Sequence, residues 1–436
     1  MLSYYFNLGW RSLLRNRVLT VLMIIAIAVG IGTSMTAFTV FRVMSGDPIP
    51  WKSSQLFVPQ IDNWGPDYRD DAGEPPDQLT YRDATALMQA HAGHRQTALY
   101  STSAVIAPPT TNLAPFNARG RAVYADFFQM FDVPLHYGSA WHAENDDAHA
   151  SVVVLSRKLN DKLFDGADST GRVLSIDDHD YRIVGVIDYW EPQPRVYDVI
   201  SEKFGETEDL FVPFNTAVER RMRRSGNNNC NKAPAEPGLD GYLKSECVWT
   251  QFWVELPTAA ERNRYAAFLN NYASDQQRSG RFAWAPFTRL RNVHDWMAFK
   301  KVATDDARMS VAIGFAFLAV CLINAIGLML AKFNSRASEI GVRRAVGATR
   351  GAVFAQCLIE TAAIGLSGGI AGVGLTVLGL VGIRGVFPEE IARLARFDLQ
   401  SMAITLTVAL VATVCAGTYP AWRASRAQPA WQLKAL

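Results

Sequence analysis

NSRASEIGVRRAVGATRGAV, residues 334–353, separates two long apolar runs and decides how the chain is read. It sets Arg336, Arg343, Arg344 and Arg350 against a single acid, Glu339. Glu339 precedes Arg343 by four residues, the order that favours an ion pair on one helix face. Gly341 and Gly347 keep the segment short and closely packable. A basic, helical connector between two membrane spans belongs on the cytoplasmic side. Charge alone would make it a topogenic loop and nothing more.

Working outward, the flanking runs are 311–333 and 353–383, and two more lie at 18–41 and 401–422. The uncharged 18–41 run reaches roughly 36 Å as a helix, enough to cross a bilayer. It exceeds the apolar region of a signal peptide, so it reads as a retained span. Residues 1–17, with Tyr4, Tyr5, Trp10 and three arginines, read as an amphipathic helix on the cytoplasmic membrane surface. Those arginines hold the N-terminus inside, and Arg423, Arg426 and Lys434 do the same for the tail 423–436. The loop 384–400 balances its bases with Glu389, Glu390 and Asp398, which suits the outer side. The count is four spans with both termini cytoplasmic.

Polar residues inside spans are functional by default. Asn324 lies in mid-span, where an amide ordinarily bonds to a neighbouring helix. Glu360, the one acid of 353–383, lies close enough to the cytoplasmic entrance to snorkel or to pair with a connector arginine. Gly365/Gly369 and Gly368/Gly372 form two overlapping frames for close helix packing. Residues 365–369 also spell G-x-S-x-G, but a nucleophile elbow needs a strand-to-helix turn beneath a sheet.

From 42 to 306 no run is long enough to span. This is a domain-sized insert with a mixed α/β pattern. Residues 79–93 and 261–280 read as helices and 249–257 as a strand. Residues 151–164 read as a strand leading into a helix, and 171–190 as a hairpin. The polar connection 191–248 reads as a mobile loop. Cys230 and Cys247 are the cysteines of the insert, and an oxidising compartment would join them. Cys321, Cys357 and Cys415 lie in spans.

The net charge of +2 argues against nucleic-acid binding. The sequence contains no P-loop, no HExxH, no kinase signature and no CxxC or Cys/His cluster. The histidines are dispersed, and His91 and His94 read as solvated.

EIGVRRAVGAT resembles the cytoplasmic connector of MacB-like ABC transporter permeases, the family that includes the FtsX and LolC/LolE permeases. YADFFQMFDVPLHYGSAW (124–141), VVVLSRKLNDKLF, GRVLSIDDHDYRIVGVI and DLFVPF (209–214) resemble phrases of that family's ectodomain. Tyr-Pro-Ala-Trp-Arg (419–423) resembles the end of its last span. The resemblance implies an α-helical membrane protein with four transmembrane helices. A large α/β two-lobed periplasmic domain would be inserted between the first two. The α/β lobe would take about 50–112 and 249–290, and the β-rich lobe about 113–248. The connector would contain the coupling helix, with Glu339, Gly341, Arg343, Arg344 and Gly347 meeting an ATPase. ATP and Mg would be bound by that partner, an ABC ATPase dimer, and no cofactor by this chain, which is not itself an enzyme. A second permease subunit, identical or paralogous, is implied, with a periplasmic adaptor and outer-membrane channel left open. The implied mechanism is mechanotransmission for efflux or extraction of an antibiotic, peptide or lipid-like substrate. MacB itself carries a fused ATPase, so this chain is closer to members with a split one. Alternatives are an FtsX-like regulator of a periplasmic partner, against which the large insert argues, and a membrane-anchored sensor.

Overall fold

The computed structural model describes residues 17–70, 72–109, 113–386 and 399–426. Most of the expected surface helix, most of the 384–400 loop and the tail beyond residue 426 lie outside the described residues. The chain divides into two compact units, Gly46–Val302 and the combination of Met1–Ser45 with Ala303–Leu436.

The first element, α1 (Arg17–Met44), is long and apolar enough to span. The Gly46–Val302 unit then begins with β1 (Leu56–Ile61), β2 (Leu79–Thr80) and α2 (Tyr81–Ala90). The Thr80 hydroxyl accepts from the Asp83 N–H to start α2, and His91 stops it in the left-handed region at φ 44°. β3 (Arg95–Ala107), β4 (Phe116–Val123), α3 (Asp126–Met130), β5 (Leu135–Gly138) and α4 (Ala143–Asp147) follow. Next come β6 (Val152–Leu155), α5 (Arg157–Phe164), β7 (Val173–Ile176) and β8 (His179–Ile187). Asp177 and Asp178, at φ 48° and 60°, make the two-residue turn between β7 and β8. Positive φ at both positions is what a tight hairpin turn of this hand requires. The unit closes with β9 (Leu210–Pro213), α6 (Phe214–Glu219), β10 (Arg223–Arg224), α7 (Gly238–Lys244), β11 (Val248–Glu255), α8 (Ala259–Arg278), β12 (Thr288–Asn292) and α9 (Val293–Phe299). A Thr258/Glu261 capping box begins α8.

The strands form one sheet with the spine β12-β1-β11-β3-β4-β9-β6-β8-β5. β3 is the hinge of that order. Its first half pairs with β11, from Arg95↔Glu255 to Leu99↔Gln251, and its second half pairs with β4, from Tyr100↔Ala122 to Ile106↔Phe116. The hydrogen-bonded ladder therefore runs unbroken across the lobe boundary placed near residue 112.

The connection 191–248 is not the mobile loop that its polarity suggests. It carries β9, α6, β10 and α7, and it is anchored by charge. Asp198 and Glu208, both buried, take the guanidinium groups of Arg121 and Arg195. Arg121 Nε donates to Glu208 at 2.6 Å, and the Tyr197 hydroxyl donates to the same carboxylate at 3.0 Å. Burial alone would raise both acids. The two arginines outweigh it and hold both below the usual carboxylate range. A disulfide joins Cys230 to Cys247 at a Cα separation of 4.2 Å.

The second unit adds α10 (Asp305–Asn334), α11 (Ala337–Ala345), α12 (Arg350–Val386) and α13 (Leu399–Ser425) to α1. α1, α10, α12 and α13 are each long and apolar enough to cross a membrane. At 1.5 Å per residue α10 is about 45 Å long, more than the hydrocarbon thickness alone requires. Met23, Ile27, Ile31, Leu318, Met329 and Ile364 are prominent in the core of this unit.

Candidate functional site

α12 lies between α1 and α13, and glycines make both contacts possible. A Cβ at Gly368 or Gly372 would come within 2.7 and 2.9 Å of Ile27 and Ile31 on α1. One at Gly365 or Gly369 would come within 2.7 and 2.8 Å of Thr413 and Ala409 on α13. The two frames thus serve two different neighbours.

The connector begins where α10 ends. α11 follows α10 after a two-residue step, and Gly347 ends it at φ 110°, a conformation only glycine adopts readily. A Cβ on Gly347 would meet nothing within 4 Å, so within this chain the residue is required for its backbone and not for close approach. Gly341 is buried. Arg343 donates to Glu339 at 2.7 Å and to Gln356 on α12 at 3.0 Å. Arg344 reaches the Ser425 carbonyl at the end of α13, at 3.5 Å. Arg343 and Arg344 are thus tied to the bundle, while Ser338 and Arg350 stay exposed beside two valines. Val342 is 53% exposed and Val346 84% exposed.

Glu360 anchors the connector to the spans. Its carboxylate, 3% exposed, meets Lys332 at 2.6 Å and Arg336 at 3.2 Å. Lys332 is fully buried and also donates to the Thr20 hydroxyl of α1 at 3.1 Å. Three spans and the connector's first turn therefore share one buried ionic cluster. Lys332 escapes a reading by apolar runs, because it hides at the end of one. The signal was present: a lone acid in one run and a lone base in the next need each other.

Asn324 departs from expectation. It is exposed, and its side-chain amide meets no partner among the described residues. Cys321, Ala325 and Met329, on an i, i+4, i+8 line, carry the buried face of α10, which turns residue 324 outward. Neighbouring Gly327 is equally open.

Among the described residues no group of three His, Cys, Asp or Glu side chains could hold a metal ion. An ion pair and two hydrogen bonds tie the connector to the spans.

Family comparison agrees with this architecture. The MacB-like periplasmic core domain matches residues 20–267, and the FtsX-like permease C-terminal domain matches residues 311–429. The first match alone covers more than half of the chain, which belongs to the MacB-like family of FtsX-type permeases. The macrolide export ATP-binding/permease protein MacB of Escherichia coli K12 is 24% identical over 428 residues, 97% of this chain and 59% of that protein. Its counterpart from Pasteurella multocida is 26% identical over 313 residues, 72% of this chain and 42% of that protein. The chain thus spans about half the length of these relatives. The periplasmic region of MacB from Actinobacillus actinomycetemcomitans aligns with 56% of this chain and 92% of its own, at 13% identity and a TM-score of 0.36.

Proposed function

We propose that the chain is the permease subunit of an ABC transporter, driven by ATP hydrolysis on a separate ATPase dimer that binds ATP and Mg. Both termini would be cytoplasmic, and Gly46–Val302 would lie in the periplasm of an inner-membrane complex. Closure of the ATPase pushes on α11. The Lys332–Arg336–Glu360 cluster passes that push to α10 and α12, and α10 carries it toward the Gly46–Val302 unit. The substrate, an antibiotic, peptide or lipid-like molecule, is moved at the outer face and not through a channel inside the bundle. A second permease subunit completes the membrane part. The outward Asn324 supports this, because an amide without a partner in hydrocarbon is costly and a neighbouring helix can satisfy it. A periplasmic adaptor and an outer-membrane channel would extend the path.

The observation that carries this reading is α11 itself. It is a short helix tied to the bundle through Arg343 and Arg344, with Val342 and Val346 exposed and an ionic anchor to the spans.

The test uses Glu339→Lys, Val346→Asp and Gly347→Leu. The first removes an ion pair worth a few tenths of a kcal/mol on a helix surface, and the second alters an exposed side chain, so both should insert and fold normally. Gly347→Leu strains the helix exit by about 1–3 kcal/mol. Each should lose most of the co-purifying ATPase and its stimulated turnover while inserting at wild-type level. Normal association and turnover in Glu339→Lys and Val346→Asp would reduce the connector to a topogenic loop.

A further inference from the structure

The Gly46–Val302 unit holds a cavity of about 510 Å³ away from the connector. Four short segments build it: α2, the β4–α3 junction, α4 and α6. Its aromatic wall is ordered by stacking. Tyr81 and Tyr124 lie on Phe214, with ring centroids 6.2 and 5.2 Å away and interplanar angles of 7° and 21°. Met88 and Val218 add apolar surface, and Gln89 and Asn215 add amides.

The charge of the lining is one-sided. Asp126, Asp146, Asp147 and Glu219 face the space with His91 and His149, and among the described residues no lysine or arginine lines it. The first three repel one another: Asp126 and Asp147 each disfavour the charge on Asp146. Of the four, only Glu219 has a basic partner in the lining, His149 at 2.7 Å. Asp146 is held by the Trp141 indole and the Ala125 N–H, and Asp126 by the Gln96 N–H. These are neutral donors, which position the carboxyl groups; burial disfavours the charged form of Asp146.

The acids are spread around the walls and do not converge as metal ligands would. Stacked tyrosines, an apolar flank and separated carboxylates fit a molecule with an apolar or aromatic body and a cationic end. The geometry points to this cavity as a binding site for a small organic cation of that kind. Recognition is independent of the permease reading, because it needs no ATPase.

Binding is measured by calorimetry on the full chain in phosphatidylcholine nanodiscs, with empty nanodiscs subtracted. The probe is dansylcadaverine, an aromatic body on a primary ammonium. Its neutral control is N-acetyl dansylcadaverine. Wild type should bind the cationic probe at least tenfold more tightly than the neutral one. Asp147→Asn/Glu219→Gln, at two exposed side chains, should erase most of that preference. Thr85→Trp, which fills the cavity from α2, should abolish binding of both probes. Equal binding of the two probes to wild type overturns the proposal. So does a preference that survives the double variant, or binding that survives Thr85→Trp.

Discussion

Two buried ionic clusters, one in each unit, are built on different arithmetic. In the Gly46–Val302 unit, Arg121 and Arg195 meet Asp198 and Glu208, two buried bases against two buried acids, with the half-buried Glu202 also on Arg195 at 2.9 Å. Each carboxylate is further bonded by a neutral or backbone donor, as from Tyr197 and the Ser201 N–H. In the membrane unit, Lys332 and Arg336 share the single Glu360. The balanced cluster joins segments from distant parts of the sequence into one permanent fold. The other sets two cations, one of them at the root of the connector, against one buried acid.

The largest effect should come from breaking the balanced cluster. Arg121→Met leaves Asp198 and Glu208 with one cation between them, and such losses cost about 3–5 kcal/mol. Denaturant unfolding of the detergent-solubilised chain, read by hydrogen exchange in β4 and β9, should show the loss. An effect below about 1 kcal/mol would mean that the cluster contributes no more than ordinary surface pairs.

A smaller effect is expected in the membrane unit. Lys332→Met leaves Glu360 with Arg336, so the loss should be that of one charged hydrogen bond, about 1.5–3 kcal/mol. Glu360→Gln should cost more, because it removes the one acid that both cations meet in the cluster. Adding Lys332→Met to Glu360→Gln should recover part of the loss, giving a coupling of about 0.5–3 kcal/mol in a double-mutant cycle. Strict additivity in thermal unfolding of the spans would dissolve the comparison.

Asp146 sharpens it from the other side, as a buried acid that meets no lysine or arginine among the described residues. Burial pushes its carboxyl up from 3.8 to about 7, and the charges of Asp126 and Asp147 add to this against the N–H donors of Ala125 and Trp141. Tyr124 also faces it, and Asn215 bonds the Asp146 carbonyl. A raised acid favours the protonated fold. The stabilisation is complete below about pH 4 and is lost as pH rises through about 7. Hydrogen-exchange protection of α4, corrected for intrinsic rates, should therefore fall between pH 6 and pH 8. Asp146→Asn should flatten that slope, and an unchanged slope would assign the effect to another group.

How much of this was legible depended on distance along the chain. The spans and the β7–β8 turn are local patterns, and the sequence displays them. Glu360 announced that it needed a cation because an acid among apolar residues is anomalous. Lys332 did not, since a base at a span end ordinarily reaches the interface. Arg121 lies 77 and 87 positions from Asp198 and Glu208, and all three sit in polar company. No periodicity marks them as buried, so the 191–248 connection looked like a loop. Asn324 was visible as a polar residue, but its face was not. One turn of helix phase decides whether an amide meets this chain or something outside it.

The glycines of α12 have a mechanical consequence. Sliding α12 by about one turn, the step by which packed helices ratchet past each other, moves each residue into a seat roughly four positions away. In one direction Val373 and Thr376 would enter the seats of Gly369 and Gly372, against Ala409 and Ile31. In the other, Thr361 and Ile364 would enter those of Gly365 and Gly368, against Thr413 and Ile27. Neither seat has room even for a methyl group. The helix is keyed like a shaft in a slot, and travel along its own axis is blocked both ways. Under the proposed mechanism, force delivered at Glu360 would leave by tilting α1, α12 and α13 together.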